Sequence, residues 1–378
     1  MKRYQKDLGH YRNEWIIMIK KAIILLMITT LMAGCSQAET SDFEQDDPVE
    51  QVKAEVVEAE EETTEGQEEE PVDPKEEIDL SLKPNESGRI MVLMYHNIGE
   101  EEKEWTRTPE NFNRDLKTLY DKGYRPISLK DYATGNITTS QGYTPIVITF
   151  DDGNKNNFEY LEDGTINGNS AVGLLTDFHK ENPDFSPAAT FFLTGDVPFG
   201  QRDSIGKKFN FLIENGMDIG NHSKNHANFT EASAELLQKE IGEQSQYLES
   251  FVEVHDYRVN TIALPYGIRP KDESKIKYLQ EGIYEDVLYE NIAILNVGWN
   301  PGYSPYDNRF NFESIPRIRA SEMKVDNVGM YNYLEYFDNN PDERFISDGN
   351  PDIITIPEGK QELIKSFENK EIYIYDKK

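Results

Sequence analysis

Cysteine is almost absent from this 378-residue chain. Cys35 stands alone, so no intrachain disulfide can form. Basic residues are also scarce, 39 Lys and Arg against 70 Asp and Glu, which leaves a formal net charge of −31. A surface of that sign excludes nucleic acid as a partner, because phosphate binding needs a basic face. No apolar stretch reaches the roughly 20 residues of a membrane-spanning helix. The run Ala22–Met32 is too short for one. No internal repeat is visible.

What is present begins with a signal-like segment. Lys20 and Lys21 precede the apolar run, and Ala33-Gly34-Cys35 follows it. A charged start, an apolar middle and small residues at a cleavage point mark an export signal. The end resembles the lipobox of bacterial lipoproteins, with Met32 where Leu is usual. The resemblance implies lipidation of Cys35 and anchoring at the extracellular face of the bacterial cytoplasmic membrane. Met18 precedes Ile19-Lys20-Lys21, so residues 1–17 read as an upstream extension from a misplaced start.

Residues 1–35 are therefore expected to be the anchor segment and 36–88 a disordered acidic linker. Residues 41–79 hold 18 acidic and two basic side chains. Such a tract has too little apolar surface to offset its ordering entropy, and self-repulsion extends it. Residues 89–378 are expected to form the folded domain.

Within that domain, short apolar runs alternate with helical patterns. Strands are predicted at Ile90–Met94, Ile146–Phe150, Ala189–Leu193, Met217–Asn221, Thr261–Leu264 and Ile292–Val297. Helices are predicted at Pro109–Lys122, Ala171–Lys180, Ile205–Glu214, Ser233–Phe251, Glu273–Glu281 and Asp326–Phe337. The alternation predicts an α/β fold with a parallel sheet or barrel. In such a barrel the site lies at the C-terminal ends of the strands. His96, Asp151, Asp152, His222 and Tyr266 all follow strands.

Thr149-Phe150-Asp151-Asp152-Gly153 sets two carboxylates side by side after a strand. Like charges held close are costly unless a cation or a shared proton relieves them. An Asp-Asp-Gly turn with no chemistry is the plainer alternative. Asn221-His222-Ser223-Lys224-Asn225-His226 adds two of the six histidines, four residues apart, within reach of one ion. Alone they read equally well as solvated loop histidines. Together the motifs offer Asp, His and His, which with an open position for water is the composition of a catalytic zinc site.

These two motifs, with Leu264-Pro265-Tyr266-Gly267, resemble the polysaccharide deacetylases, carbohydrate esterase family 4 with NodB homology. The likeness covers about residues 90–320. It implies a distorted (β/α) barrel that removes acetyl groups from N-acetylglucosamine polymers, peptidoglycan or xylan with zinc or a similar divalent ion. Two departures stand out. Ala263 occupies the position where an Arg usually pairs with the catalytic base, and no Leu-x-x-His supplies a late general acid. Both departures resemble the circularly permuted poly-β-1,6-N-acetylglucosamine deacetylases, in which the His arrives early. Here that is Val92-Leu93-Met94-Tyr95-His96, and Ile315-Pro316-Arg317-Ile318-Arg319 looks like the late strand of that subgroup.

The resemblance implies a divalent ion on Asp152, His222 and His226, Asp151 as base, His96 as acid and the Tyr266 N–H as oxyanion donor. Pro265, Trp299 and Arg317 are expected at the substrate, Trp299 as a sugar-stacking or acetyl-pocket wall and Arg317 as a replacement for the missing charge. Tyr303, Tyr306 and Asp307 form an aromatic and polar loop suited to carbohydrate. His179, His255 and His10 are expected to carry no function. The partners implied are an acetylated glycan, such as peptidoglycan or poly-N-acetylglucosamine, and a membrane reached through the lipid anchor. A monomer is expected. The alternatives are an O-acetyl esterase on a xylan-like glycan and a carbohydrate-binding lipoprotein without catalysis.

Overall fold

The computed structural model describes residues 73–367 and 369–376. The signal segment, Cys35 and linker residues 36–72 lie outside the described residues. The domain boundary expected at residue 89 moves back to Asp73. Asp73 and Asp79 cap short 3-10 turns at Pro74–Glu77 and Leu80–Leu82. Ile78, Asn85, Glu86 and Ser87 are buried. The acidic composition conceals this packing, because the buried polar groups find partners far along the chain. The Asn85 amide donates to the carbonyls of Asp342 and Arg344 at 3.0 and 3.1 Å, and the Glu86 carboxylate accepts the Thr355 N–H at 3.1 Å.

Eight parallel strands form one curled sheet: β1 (Val92–Tyr95), β2 (Tyr124–Pro126), β3 (Thr144–Phe150), β4 (Thr190–Leu193), β5 (Asp218–Asn221), β6 (Thr261–Ala263), β7 (Ala293–Leu295) and β8 (Ile318–Arg319). The order is β7-β6-β5-β4-β3-β1-β8, with β2 alongside the start of β3. β1 and β3 are buried at every position, as strands covered on both faces must be. Backbone bonds run from the β7 edge to the segment that leads into β8. Ile294 N–H donates to Phe312 O at 2.8 Å, Asn296 N–H to Ile315 O at 2.9 Å and Gly298 N–H to Arg317 O at 3.2 Å. The sheet thus closes through an irregular segment, a distorted α/β barrel.

The connecting helices follow their sequence signals. α1 (Pro109–Asp121) has Thr108 as N-cap, Pro109 in its first turn and Phe112, Leu116 and Leu119 on its buried face. Gly123 follows it at φ 78°, the left-handed stop that glycine adopts without strain. α2 (Leu129–Thr134) was not foreseen. α3 (Ala171–Glu181), α4 (Ile205–Glu214) and α5 (Ala234–Glu249) lie where the periodicity predicts. The helix expected over Glu273–Glu281 is only α6 (Lys277–Gln280), because the chain turns at once into an antiparallel hairpin, Glu281–Tyr284 with Val287–Glu290. The helix expected from Asp326 begins later, as α7 (Met330–Asn339), since Asp326 and Asn327 adopt left-handed backbone at φ 49° and 64°. The C-terminal residues form a separate parallel pair, Ile353–Pro357 with Glu371–Tyr375. Among the described residues no helix is long and apolar enough to cross a membrane.

Candidate metal and catalytic centre

β3, β5 and β1 end side by side or one strand apart, and each delivers its polar residues to the same end of the sheet. The Asp151 N–H donates to Tyr95 O at 3.0 Å, which extends the β1–β3 ladder by one step. The chain then reverses through Asp152 at φ 73° and Gly153 at φ 66°. The turn at the end of β5 is held from α5. The Asn221 amide donates to Ile241 O and Ser245 Oγ, both at 2.8 Å. The two carboxylate oxygens of Glu240 each accept one Asn225 donor, backbone N–H and side-chain amide, at 2.8 Å.

Ser223, His226 and Tyr266 also have positive φ, 58°, 50° and 59°. Non-glycine residues rarely adopt that backbone, and four of them around one point are strain that the surrounding structure must hold in place.

The result is a convergence of three ligand-type side chains. One atom each from Asp152, His222 and His226 lies within 4.8 Å of the others. His222 Nε2 and His226 Nε2 are each 3.6 Å from Asp152 Oδ1. His222 Nδ1 is 2.8 Å from Ala263 O, so Nδ1 carries the hydrogen and the Nε2 lone pair faces the cluster. A carboxylate and two imidazoles in this state suit a divalent ion such as zinc. Burial opposes ionisation of Asp152, but His222 and His96 hold its carboxyl below the usual range. Burial, reinforced by His222, holds the His226 imidazole below its ordinary value.

Asp151, directly beside this cluster, is buried and bonded at both oxygens to Arg317, at 2.6 and 2.7 Å. Burial would raise its carboxyl. The Arg317 charge, with His222 and His96, outweighs that and holds it far below the usual carboxylate range. Arg317 was expected at the substrate. It is fully buried instead, with Nε donating to Asn296 O at 3.0 Å. It therefore supplies the charge that Ala263 cannot, from β8 instead of β6.

His96 Nε2 lies 3.9 Å from Asp151 Oδ2, in the same cleft. The substrate-sized gap expected between them is not there. Burial pushes the His96 imidazole down, more than Asp151 and Asp152 push it up. Its Nδ1 has no partner among the described residues. Asn157 bonds the His96 carbonyl at 2.6 Å.

Pro265 is buried and opens the turn that sets Tyr266, so it shapes the site and does not meet a substrate. Tyr266 is exposed, its ring 4.5 Å from His226, and its N–H has no acceptor among the described residues. Trp299 is exposed on the loop after β7. Tyr306 and Asp307 are buried, the first bonded to Gly135 O and the second paired with Arg309, so neither can meet carbohydrate. His179 bonds Phe185 O and His255 is exposed, both remote from the cluster in their contacts. His10 lies outside the described residues.

Sequence reasoning missed Trp105, whose ring is 4.7 Å from that of His96, and Glu240. A tryptophan among glutamates in a loop has no periodic signal. Glu240 could have been noticed as an acidic position on the apolar face of α5.

Residues 180–281 match the family model described as polysaccharide deacetylase. No curated protein matches the chain. Among solved structures, a deacetylase of Streptococcus pyogenes, PplD in complex with acetate, is 18% identical at a TM-score of 0.46, covering 63% of this chain and 96% of its own. A polysaccharide deacetylase from Bacillus cereus is 20% identical at 0.45, covering 63% and 67%. IcaB from Ammonifex degensii is 14% identical at 0.45, covering 65% and 97%.

Proposed function

This chain belongs to the polysaccharide deacetylase family, and from that footing we propose that it is a metal-dependent N-deacetylase of an N-acetylhexosamine glycan, peptidoglycan or an exopolysaccharide such as poly-N-acetylglucosamine. We place it at the outer face of the cytoplasmic membrane, held by a lipid on Cys35. The observation that carries the catalytic part is the convergence of Asp152, His222 and His226 beside the buried Asp151–Arg317 pair.

In this reading Asp152, His222 and His226 hold a divalent ion. When bound, such an ion supplies Lewis acidity, making a water more acidic and polarising a carbonyl. Asp151 accepts the proton that the attacking water loses. Its Arg317 bonds use one lone-pair direction on each oxygen, and Oδ2 still faces His96. The Tyr266 N–H donates to the oxyanion that forms as the acetamide carbonyl becomes tetrahedral. His96 delivers a proton to the departing nitrogen, which leaves as an amine only when protonated. Water, Asp151 and His96 together thus move one proton from the nucleophile to the leaving group, and acetate and a free amine result.

The test is acetate release across peptidoglycan, chitooligomers, β-1,6-linked N-acetylglucosamine oligomers and acetylated xylan. Release from an N-acetylated member supports the reading. Release from xylan alone turns it into an O-acetyl esterase. Binding without release from any of them leaves a carbohydrate-binding lipoprotein.

A further inference from the structure

We infer that Trp105 and Trp299 wall a sugar-stacking cleft on the His96 side of the catalytic centre, which takes one pyranose ring of the acetylated glycan. The identity of the glycan rests on the deacetylase reading; the cleft itself rests on its own geometry.

The chain has three tryptophans. The two in the described part, Trp105 and Trp299, line the same cavity of about 170 Å³. They are 40% and 57% exposed. Tryptophan is usually highly buried, and two large exposed indoles on one concavity mark a surface that awaits a ligand. Met94, two residues before His96, also lines the cavity, and Trp105 touches the His96 ring.

The remaining walls are mixed in a way that suits a sugar. Val325 and Val328 add apolar surface, and Arg319 and Asp326 add a donor and an acceptor. The Arg319 guanidinium lies 4.7 Å from the Trp105 ring centroid and bonds Glu104 at 2.8 Å, which fixes the indole. An alkyl chain in this cavity would leave Arg319 and Asp326 facing a group that cannot bond them. A pyranose offers an apolar C–H face to each indole and hydroxyls at its rim, the pairing of aromatic walls with few polar groups expected of a ligand site.

Both sides of the cleft are held in shape. Lys324, Asp326 and Asn327 adopt left-handed backbone at φ 52°, 49° and 64°. On the other side, a Cβ on Gly298 would come within 2.7 Å of Pro316 Cβ, so only glycine lets the Trp299 loop press this closely on the β8 segment. Tyr333 OH bonds Trp299 O and, at 3.0 Å, Asn300 Oδ1.

Because His96 protonates the leaving amine in the proposed mechanism, the ring held here lies on the leaving-group side. It is either the sugar that loses its acetyl group or the next one along the polymer. The cleft then selects for polymer over small acetylated compounds.

The experiment is 19F NMR of the full-length protein labelled with 5-fluorotryptophan, with Trp105→Phe and Trp299→Phe assigning two of the three resonances. N-acetylglucosamine oligomers of both linkages and acetylated xylan oligomers are titrated in, and acetate is assayed in parallel. We expect the Trp105 and Trp299 resonances to shift with one of these glycans while that of Trp15 does not. Trp299→Ala should raise KM for that glycan about tenfold, the effect of losing roughly 60 Å² of apolar contact, with kcat changed much less. If no glycan in the panel moves either resonance, the cleft is not a sugar site, whatever the acetate assay shows. If Trp299→Ala lowers kcat and leaves KM alone, the indole positions the machinery and does not bind sugar, and the inference also fails. Acetate release decides the deacetylase reading separately, so the two can fail independently.

Discussion

Both carboxylate oxygens of Asp151 are bonded to the guanidinium of Arg317, 166 residues later in the chain, and neither side chain reaches solvent. Removing one partner leaves a buried charge alone, which costs about 3–5 kcal/mol in other proteins. Arg317→Met should therefore destabilise the domain by that order in urea unfolding and abolish acetate release. Arg317→Lys keeps the charge but cannot form the two parallel bonds, so it should unfold at intermediate urea and recover little activity. The double variant Asp151→Asn/Arg317→Met should be more stable than Arg317→Met. A double variant no more stable than the single one would show that the pair is not the energetic unit described here.

The ligand set makes a different prediction. Asp152→Ala, His222→Ala or His226→Ala should each lose bound metal by elemental analysis and lose activity with it. Chelation of the wild type should do the same, reversibly on adding zinc. Activity that survives complete removal of metal would contradict the assignment of all three residues.

His96 is expected to separate amide from ester. Loss of a general acid typically costs on the order of 10²–10⁴ in rate. His96→Ala should show a loss of that order on an N-acetylated glycan, keep its metal and its circular dichroism, and lose much less on an activated acetate ester, whose leaving group needs no proton. Equal losses on both substrates would remove His96 from the role of acid.

A pH dependence of stability follows from the carboxyl pair far from this centre. Burial, and then the Asp348 charge, push Glu86 well above the usual carboxyl range, and burial likewise raises Asp348. A raised carboxyl pKa means that the folded protein keeps a proton the unfolded chain has released. The stabilisation is full below the unfolded value of about 4.3 and is lost as pH rises through the folded value. The melting temperature should therefore carry a falling component above that pH. Glu86→Gln, which keeps an acceptor for the Thr355 N–H, should flatten it. An unchanged slope would assign the pH dependence to other groups.

Much of this was readable from residues alone, for identifiable reasons. α1 announced itself because Thr108, Pro109, the Phe112–Leu119 stripe and Gly123 all agree. The metal ligands were readable because Asp152, His222 and His226 are of rare types and follow apolar runs. Arg317 was misplaced at the substrate because an arginine in a short strand gives no sign of which way it points; only the sheet order sets β8 against β1 and turns its side chain to Asp151. Residues 73–88 were taken for linker because composition outweighed Ile78 and because nothing local reveals that Asn85 and Glu86 bond residues more than 250 positions away. Trp105 gave no signal, since its meaning comes from His96 and Trp299 and not from its neighbours in sequence.

The position of β1 has a consequence for how the domain comes into being. The first strand of the sheet is flanked on one side by β8, and the chain just before it is bonded to Gly302 and to residues 343–346. In a chain made and exported from its N-terminus, β1 must wait for partners that emerge last. The barrel therefore cannot be completed piece by piece, and its contacts span most of the domain, a topology that folds slowly. Until about residue 346 has appeared, the apolar β1 and β3 are uncovered, and the nascent protein depends on whatever shields them outside the membrane.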